Sequence, residues 1–341
     1  MIGVGVIGCG FLCQNTHLKN LFDDQRFSVE AVADIDEVVR QDIAAKYSIK
    51  DIFQDHRDLL KLDRIQVVVI TVARVSSGAL VLEALRAGKS VFVEKPMCLT
   101  ETMAEKILIA AKENKKDVLV GFMKRADFGV KSYKERLSQR PFSQIRLIRA
   151  YCFMGDSYCD AFQIHRDENL VKSLGAYKEN CAPEIMEVNV TQHEQFLNVV
   201  SHTLSLFRFL FNAPFTFAYG NVDDQNNGLI CGRVGQTAAI IELVRGNQRH
   251  WSEGFEVVYE DESLCMELPP PLLRGTSARV YSKYCGDQFD RREFSIEHGW
   301  SFKGQLDKLF NMIEDGGINF EDILLSIECI KTAKQVIAGK I

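Results

Sequence analysis

The chain has 341 residues, of which 46% are hydrophobic and 26% charged, with a formal net charge of −5. That is the balance of an ordinary soluble globular protein of roughly two domains. No basic block is long enough to track a phosphate backbone, and no stretch approaches the ~18 uninterrupted apolar residues of a membrane span, so neither nucleic acid nor a bilayer is an expected partner.

The first ~120 residues alternate short apolar runs with helical patterns, the rhythm of a parallel sheet wound by helices. The runs are residues 2–8, 27–34, 65–72, 90–95 and 117–122, with helices expected near 11–22, 37–47, 76–88 and 99–115. Runs this uniformly apolar predict strands buried on both faces. The densest basic cluster, Lys112 to Lys116, falls where the last of these helices should end and complements its dipole. Met1 leads directly into the first apolar run, without a charged leader and long apolar core, so a cytoplasmic protein is expected.

Beyond residue 122 the rhythm changes. An apolar strand at 145–153 precedes a polar, irregular stretch at about 154–191, and an apolar helix follows around Asn198. From 215 to 299 strand-like segments recur without a helical period, which predicts one large, mostly antiparallel sheet. The last 40 residues return to helix. The expected architecture is α/β, with a Rossmann-type doubly wound sheet over 1–122 and an α+β domain over 123–341, whose final helices are candidates to pack back on the first domain. Ten cysteines are scattered with no C-x-x-C pair, so a reducing compartment and no metal site are expected.

Chemistry concentrates in three places. The first strand runs into Gly8-Cys9-Gly10-Phe11-Leu12-Cys13. A strand, glycine turn and helix start present backbone N–H groups and a helix N-terminus to a pyrophosphate. Gly8 permits the tight turn and Gly10 lets phosphate approach, while Phe11 and Leu12 open the helix and are expected cofactor contacts. Cys13 occupies the third small position. Asp34 ends the second strand at the distance of a ribose-binding carboxylate, which favours NAD over NADP; Asp36 is its rival. Thr71 lies at the end of the third apolar run. Glu94 and Lys95 close the fourth and Pro96 follows it, at the strand edge where open α/β sheets bind ligands. An X-Pro bond here is a candidate for cis geometry.

The third place is the helix containing Asn198 and His202. Phe196, Val200, Leu204, Phe207 and Phe211 give it an apolar face at helical spacing. Asn198 and His202 lie four residues apart and share one side of it, with Ser201 and Ser205 near the same seam. A satisfied polar seam and a catalytic pair both fit that pattern. His17 is expected to pack on the first helix, and no partner is evident for His56, His193, His250 or His298.

These segments together resemble the Gfo/Idh/MocA oxidoreductases. The resemblance rests on VGVIGCG, VADID, ALRAGKSVFVEKPM, VGFMKRADFGV and NVVSHTLSLFRFL, in that order over the whole chain. It implies a nicotinamide cofactor, a sugar or polyol substrate, and a homodimer or homotetramer assembled through the large sheet. It implies that Lys95 binds substrate and takes part in catalysis, with His202 near the reacting hydroxyl. Asn198 stands where an Asp is usual, Ser76 where His is frequent, Thr71-Val72 where Thr-Pro is common, and Phe128 where Pro is frequent.

In the resulting reading His202 accepts the hydroxyl proton, Lys95 stabilises the developing alkoxide, and Thr71 and Glu94 join the cofactor-binding set. Asn198 orients His202 or binds a neighbouring hydroxyl, and Arg125 is a substrate-contact candidate whose alternative is charged pairing at the domain junction. Asp156, His165, Tyr177 and Lys178 are candidates to cover the substrate. The competing readings are a catalytically silent dinucleotide- or sugar-binding regulator and an NADP-dependent keto-sugar reductase.

Overall fold

In the computed structural model, the described residues are 1–155, 190–246, 250–285, 289–316 and 318–339. Asp156, His165, Tyr177 and Lys178 therefore lie outside them. The described residues divide into two units. One contains Met1–Gly121 and Gln305–Ile327; the other contains Phe122 onward, Thr191–Gly304 and the chain from Glu328.

In the first unit, β1 (Ile2–Ile7), β2 (Phe27–Ala33), β3 (Asp51–Phe53), β4 (Val67–Ile70), β5 (Ser90–Val93) and β6 (Val118–Val120) form a parallel sheet in the order β3-β2-β1-β4-β5-β6. Every residue of β1, β4 and β5 is buried, as a sheet covered on both faces requires. The connections are α1 (Leu18–Asp23, preceded by a π-helical turn, Cys13–His17), α2 (Glu37–Tyr47), α3 (His56–Leu60), α4 (Arg74–Arg86) and α5 (Glu101–Asn114). Side chains from β1, β4, α1 and α2 pack into one cluster that also takes in Leu306 and Leu309.

Short polar signals set the helix boundaries. Asp36 accepts the Val38 and Val39 N–H groups at 2.9 and 3.2 Å to start α2, and Thr100 accepts from Met103 at 3.2 Å to start α5. Lys115, at φ 50°, closes α5 in the left-handed conformation, so the basic cluster is a helix C-terminus as expected. The strand order reverses between β1 and β4, and this brings the segments after those two strands together at the carboxyl edge.

The second unit contains α6 (Phe128–Ser138), β7 (Leu147–Met154), α7 (Val190–Phe211), and β8 (Phe215–Val222) through β9 (Gly228–Val234), β10 (Thr237–Arg245), β11 (Ser252–Val258), β12 (Glu262–Leu268), β13 (Arg279–Cys285) and β14 (Phe289–Phe294). Its eight strands run β14-β13-β12-β11-β7-β10-β9-β8, antiparallel except for the β7–β10 pair. Phe196, Val200, Leu204 and Phe207 of α7 are buried, and the Phe207 ring lies 5.1 Å from those of both Phe215 and Phe255. The chain closes with α8 (Ser301–Glu314) and α9 (Glu321–Ile337). The fold class is the expected one. Four elements went unanticipated: β3 and α3, which are three and five residues long, and β9 and α6 in the second unit.

Candidate active site

The chain leaves β1 at Gly8, where φ is +84° and an added Cβ would lie 2.7 Å from both the Thr71 carbonyl oxygen and Val72 Cγ1. Only glycine meets both demands. The Gly8 N–H donates to Ala33 O at 2.8 Å, and the Thr71 hydroxyl donates to Gly8 O, so the turn is tied to β2 and β4. Gly10 differs. A Cβ there would meet nothing within 4 Å, so space lies open beside the backbone. Phe11 and Leu12 follow, both half-buried.

Asp34 ties down the rest of the loop. Its Oδ2 accepts the Cys9 N–H at 2.6 Å and its Oδ1 accepts the Asp36 N–H at 2.9 Å. Asp36 caps α2, which separates the two rivals: Asp34 faces the glycine turn and Asp36 starts a helix. Arg40, in the first turns of α2, donates from Nη1 to the Asp34 carbonyl oxygen at 2.6 Å.

Cys13 is buried at the third small position, within the core cluster. Contact with Cys13 and burial together push the Cys9 thiol well above its ordinary pKa, so it stays a protonated packing group. The helix is widened to a π turn from Cys13 to His17. Asn15 Nδ2 and Thr16 Oγ1 donate to Phe11 O and Leu12 O at 2.9 and 2.6 Å, the carbonyls that α-helical N–H groups would otherwise use. Such back-bonding by short polar side chains competes with the regular ladder.

The π turn ends on His17, which does more than pack. Its Nε2 lies 2.8 Å from Glu94 Oε1, and both side chains are largely buried. Glu94 Oε2 accepts the Lys95 N–H at 3.2 Å. A Cβ at Gly121 would come within 3.0 Å of the Glu94 carboxylate, so β6 ends in glycine where the carboxylate needs room. Lys95 is half-buried at the end of β5, and the Lys95–Pro96 bond is cis. Ser76, near the start of α4, is 7% exposed with its hydroxyl unsatisfied among the described residues. The first unit thus gathers Gly8, Gly10, Asp34 and Thr71 around one turn, and His17, Glu94 and Lys95 around β5. A histidine at the end of the π turn, facing the residue before the lysine, was not read from the sequence, since the two lie 77 positions apart.

In the second unit, Asn198 is half-buried and His202 is 8% exposed, one turn apart on α7. Ser205 is satisfied locally, donating to His202 O at 2.8 Å, while Ser201 is fully enclosed and its hydroxyl has no partner among the described residues. Arg125 sits on a 3-10 turn, Met123–Ala126, with its guanidinium 4.7 Å from the Phe122 ring centroid. Next to it is a feature the sequence concealed. Lys124 and Glu253 form an ion pair with side chains 4% and 2% exposed, and Trp251 Nε1 donates to Glu253 at 3.1 Å. Asp127, 2% exposed, accepts from Gly129, Val130 and Ala278 N–H groups and from the Ser301 hydroxyl. Phe128 occupies the first position of α6, where a proline is also well tolerated, and its ring fills the space left by Gly299.

The candidate dinucleotide loop fits its ligand on three counts. The positive φ at Gly8, the open approach at Gly10 and the carboxylate behind the turn match a pyrophosphate-binding strand–turn–helix unit.

Comparison with known proteins agrees. Residues 2–122 match the model of an oxidoreductase family with an NAD-binding Rossmann fold. The chain is 31% identical over 169 residues to the inositol 2-dehydrogenase/D-chiro-inositol 3-dehydrogenase of Halalkalibacterium halodurans, covering 47% of this chain and 48% of that protein. It is 38% identical over 128 residues to an inositol 2-dehydrogenase of Rubrobacter xylanophilus, covering 37% and 36%. The similarity therefore spans about half the length of these relatives or less. Among solved structures, an oxidoreductase of Desulfitobacterium hafniense described as NADPH-dependent superposes with a TM-score of 0.78 at 14% identity, over 99% of this chain and 94% of that one. KijD10, a 3-ketoreductase of Actinomadura kijaniata in complex with NADP and TDP-benzene, gives 0.76 at 17% identity, over 99% and 97%. At such identities these structures establish a shared fold.

Proposed function

We propose that the chain is a member of the Gfo/Idh/MocA oxidoreductase family, whose NAD-binding model matches residues 2–122, and that it is a nicotinamide-dependent dehydrogenase acting on a secondary alcohol of a cyclic polyol or sugar. The observation that carries this reading is the pairing, within one unit, of the Gly8–Gly10 turn held by Asp34 with a lysine delivered at the end of β5. The inositol dehydrogenases among the relatives support the substrate class.

Bound nicotinamide supplies the hydride acceptor. Gly8, Gly10 and the helix start at Phe11 and Leu12 hold the pyrophosphate, with Thr71 and Glu94 bordering the cofactor. Asp34 meets the adenosine ribose, since each carboxylate oxygen that accepts a backbone N–H keeps a further lone pair. The Lys95 ammonium donates to the reacting oxygen and stabilises the alkoxide charge that develops there. His202 accepts the hydroxyl proton, because imidazole changes charge near working pH. Asn198 orients the imidazole or a substrate hydroxyl, and Arg125 contacts the substrate. Glu94, fixed by His17 at one oxygen and by the Lys95 N–H at the other, sets the direction in which Lys95 leaves the strand.

NAD is the preferred cofactor on the strength of Asp34, whose carboxylate repels a 2′-phosphate. A second reading, NADP, is favoured by Arg40, whose guanidinium is anchored on the Asp34 carbonyl. Parallel titration with NADH and NADPH tests the preference. Tighter NADH binding that reverses in Asp34→Ser supports the Asp34 assignment. Tighter NADPH binding that is lost in Arg40→Gln transfers the role to Arg40. A homo-oligomeric, cytoplasmic enzyme completes the proposal.

A further inference from the structure

Within the second unit, a cavity of about 210 Å³ opens between the C-terminal half of α6 and the β11–β14 edge of the large sheet. Its lining is rich in donors and poor in acceptors. Arg136 comes from α6 and Arg140 from the turn just after it, Arg292 from β14, Tyr259 from just past the end of β11 and Ser282 from β13. Glu262 also lines it, but its carboxylate is used by Arg140, at 2.8 Å, and Asp261 takes the other end of the same guanidinium, also at 2.8 Å.

Arg136 and Arg292 have no carboxylate partner among the described residues. Both instead lie against one ring, with Cζ atoms 3.4 and 5.6 Å from the Phe294 centroid. Two guanidiniums set against one ring, neither with a carboxylate partner among the described residues, repel each other, and an anion bound by both relieves that repulsion.

Three donors on this cavity are unspent. Arg136 Nε is buried and makes no hydrogen bond among the described residues, and the same holds for the Tyr259 hydroxyl and the Ser282 hydroxyl. Tyr259 is 4% exposed and Ser282 fully enclosed. Burial raises the Tyr259 phenol, against the opposing pull of Arg140, so it remains a protonated donor. Leaving buried donors unspent destabilises the folded state, a cost that a ligand of matching chemistry recovers. Unpaired guanidiniums and hydroxyls on one cavity match an anion with several oxygens. The volume is below the ~300 Å³ at which drug-sized ligand pockets begin, so a dinucleotide does not fit.

We propose that this cavity is a second, non-catalytic anion site that takes a phosphate group, free or carried by a small ester, bound by Arg136, Arg292, Tyr259 and Ser282. It stands on residues that have no part in the dehydrogenase reading, so either can fail without the other.

The test uses the full chain with inorganic phosphate and glucose 6-phosphate as probes, by isothermal titration and thermal shift, against sodium chloride at matched ionic strength. Saturable phosphate binding is expected in the wild type, at least tenfold weaker in Arg136→Gln and in Arg292→Gln, and weaker in Ser282→Ala. Arg292 is exposed on an edge strand, so its variant keeps the test valid if Arg136→Gln does not fold. Tighter binding of glucose 6-phosphate supports an ester as the ligand; equal binding supports free phosphate. A thermal shift that sodium chloride reproduces overturns the proposal. So does binding that both Arg136→Gln and Arg292→Gln leave unchanged and that NADH displaces, which would place phosphate in the glycine turn.

Discussion

Lys124→Met would expose the energetics of the buried Lys124–Glu253 ion pair. The substitution keeps the length of the side chain and removes its charge, leaving the Glu253 carboxylate, 2% exposed, with Trp251 Nε1 as its remaining donor among the described residues, at 3.1 Å. Removing one partner of a buried ion pair costs about 3–5 kcal/mol, because the other charge stays out of water. The retained indole hydrogen bond returns roughly 1 kcal/mol of that, so a loss of about 2–4 kcal/mol is expected. At roughly 2–4 °C per kcal/mol for a unit of this size, the melting transition should fall by about 5–15 °C. The chain has two tryptophans, and Trp251 touches the pair, so tryptophan fluorescence during urea unfolding follows the perturbed region directly. The double variant Lys124→Met/Glu253→Met should recover most of the loss, since the isolated charge is then gone. A Lys124→Met protein within about 0.5 kcal/mol of wild type would refute the reasoning, as it would place the pair in water.

Other expectations follow from the same geometry. Gly8→Ala should lose about 1–2 kcal/mol from its positive φ alone and bind NADH at least tenfold more weakly. Gly10→Ala should keep its unfolding midpoint, since the new Cβ meets nothing, yet also lose NADH affinity; fluorescence titration beside urea unfolding distinguishes the two. Asp127→Ala removes the acceptor for three backbone N–H groups and should cost about 2–4 kcal/mol in urea unfolding, with Asp127→Asn much milder. Burial raises the Asp117 carboxyl, against the hydrogen bond from the Asn319 N–H. The folded state therefore holds that proton more tightly than the unfolded chain does. The resulting stability is complete below the ordinary aspartate value of about 4 and is lost as pH rises through the raised one. Asp117→Asn should remove that slope from unfolding free energies measured across the window.

The first half of the chain was legible because uniformly apolar strands alternate with capped helices. What escaped was short or masked by glycine. β3 and α3 are too brief to display a period. In β9, Gly228 and Gly232 approach the Asn221 and Thr216 carbonyl oxygens so closely that an added Cβ would lie 2.0 and 2.3 Å away. Close packing demanded glycine there and erased the alternation that marks a strand. The helix α6 did carry a signal, with Asp127 as its cap and Val130, Tyr133 and Leu137 on one face, but its polar composition hid it.

Local spacing put the glycine turn after β1, Asp34 after β2 and Lys95 after β5, and the structure has them at those places. The acceptor role of Asp34 toward Cys9, the His17–Glu94 contact and the Lys124–Glu253 pair were not readable from it. These contacts join residues 25, 77 and 129 positions apart, and only the fold brings them together.

The central claim is tested most directly by following the absorbance of reduced nicotinamide while NAD⁺ is offered with inositols, free hexoses, sugar phosphates and amino sugars, for the wild type beside Lys95→Ala and His202→Gln. Turnover on at least one cyclic polyol or sugar, reduced at least 100-fold in Lys95→Ala and with an altered pH profile in His202→Gln, is the predicted result. Tight NADH binding without turnover on any member of the panel would contradict it, and would leave a dinucleotide-binding protein that performs no redox chemistry.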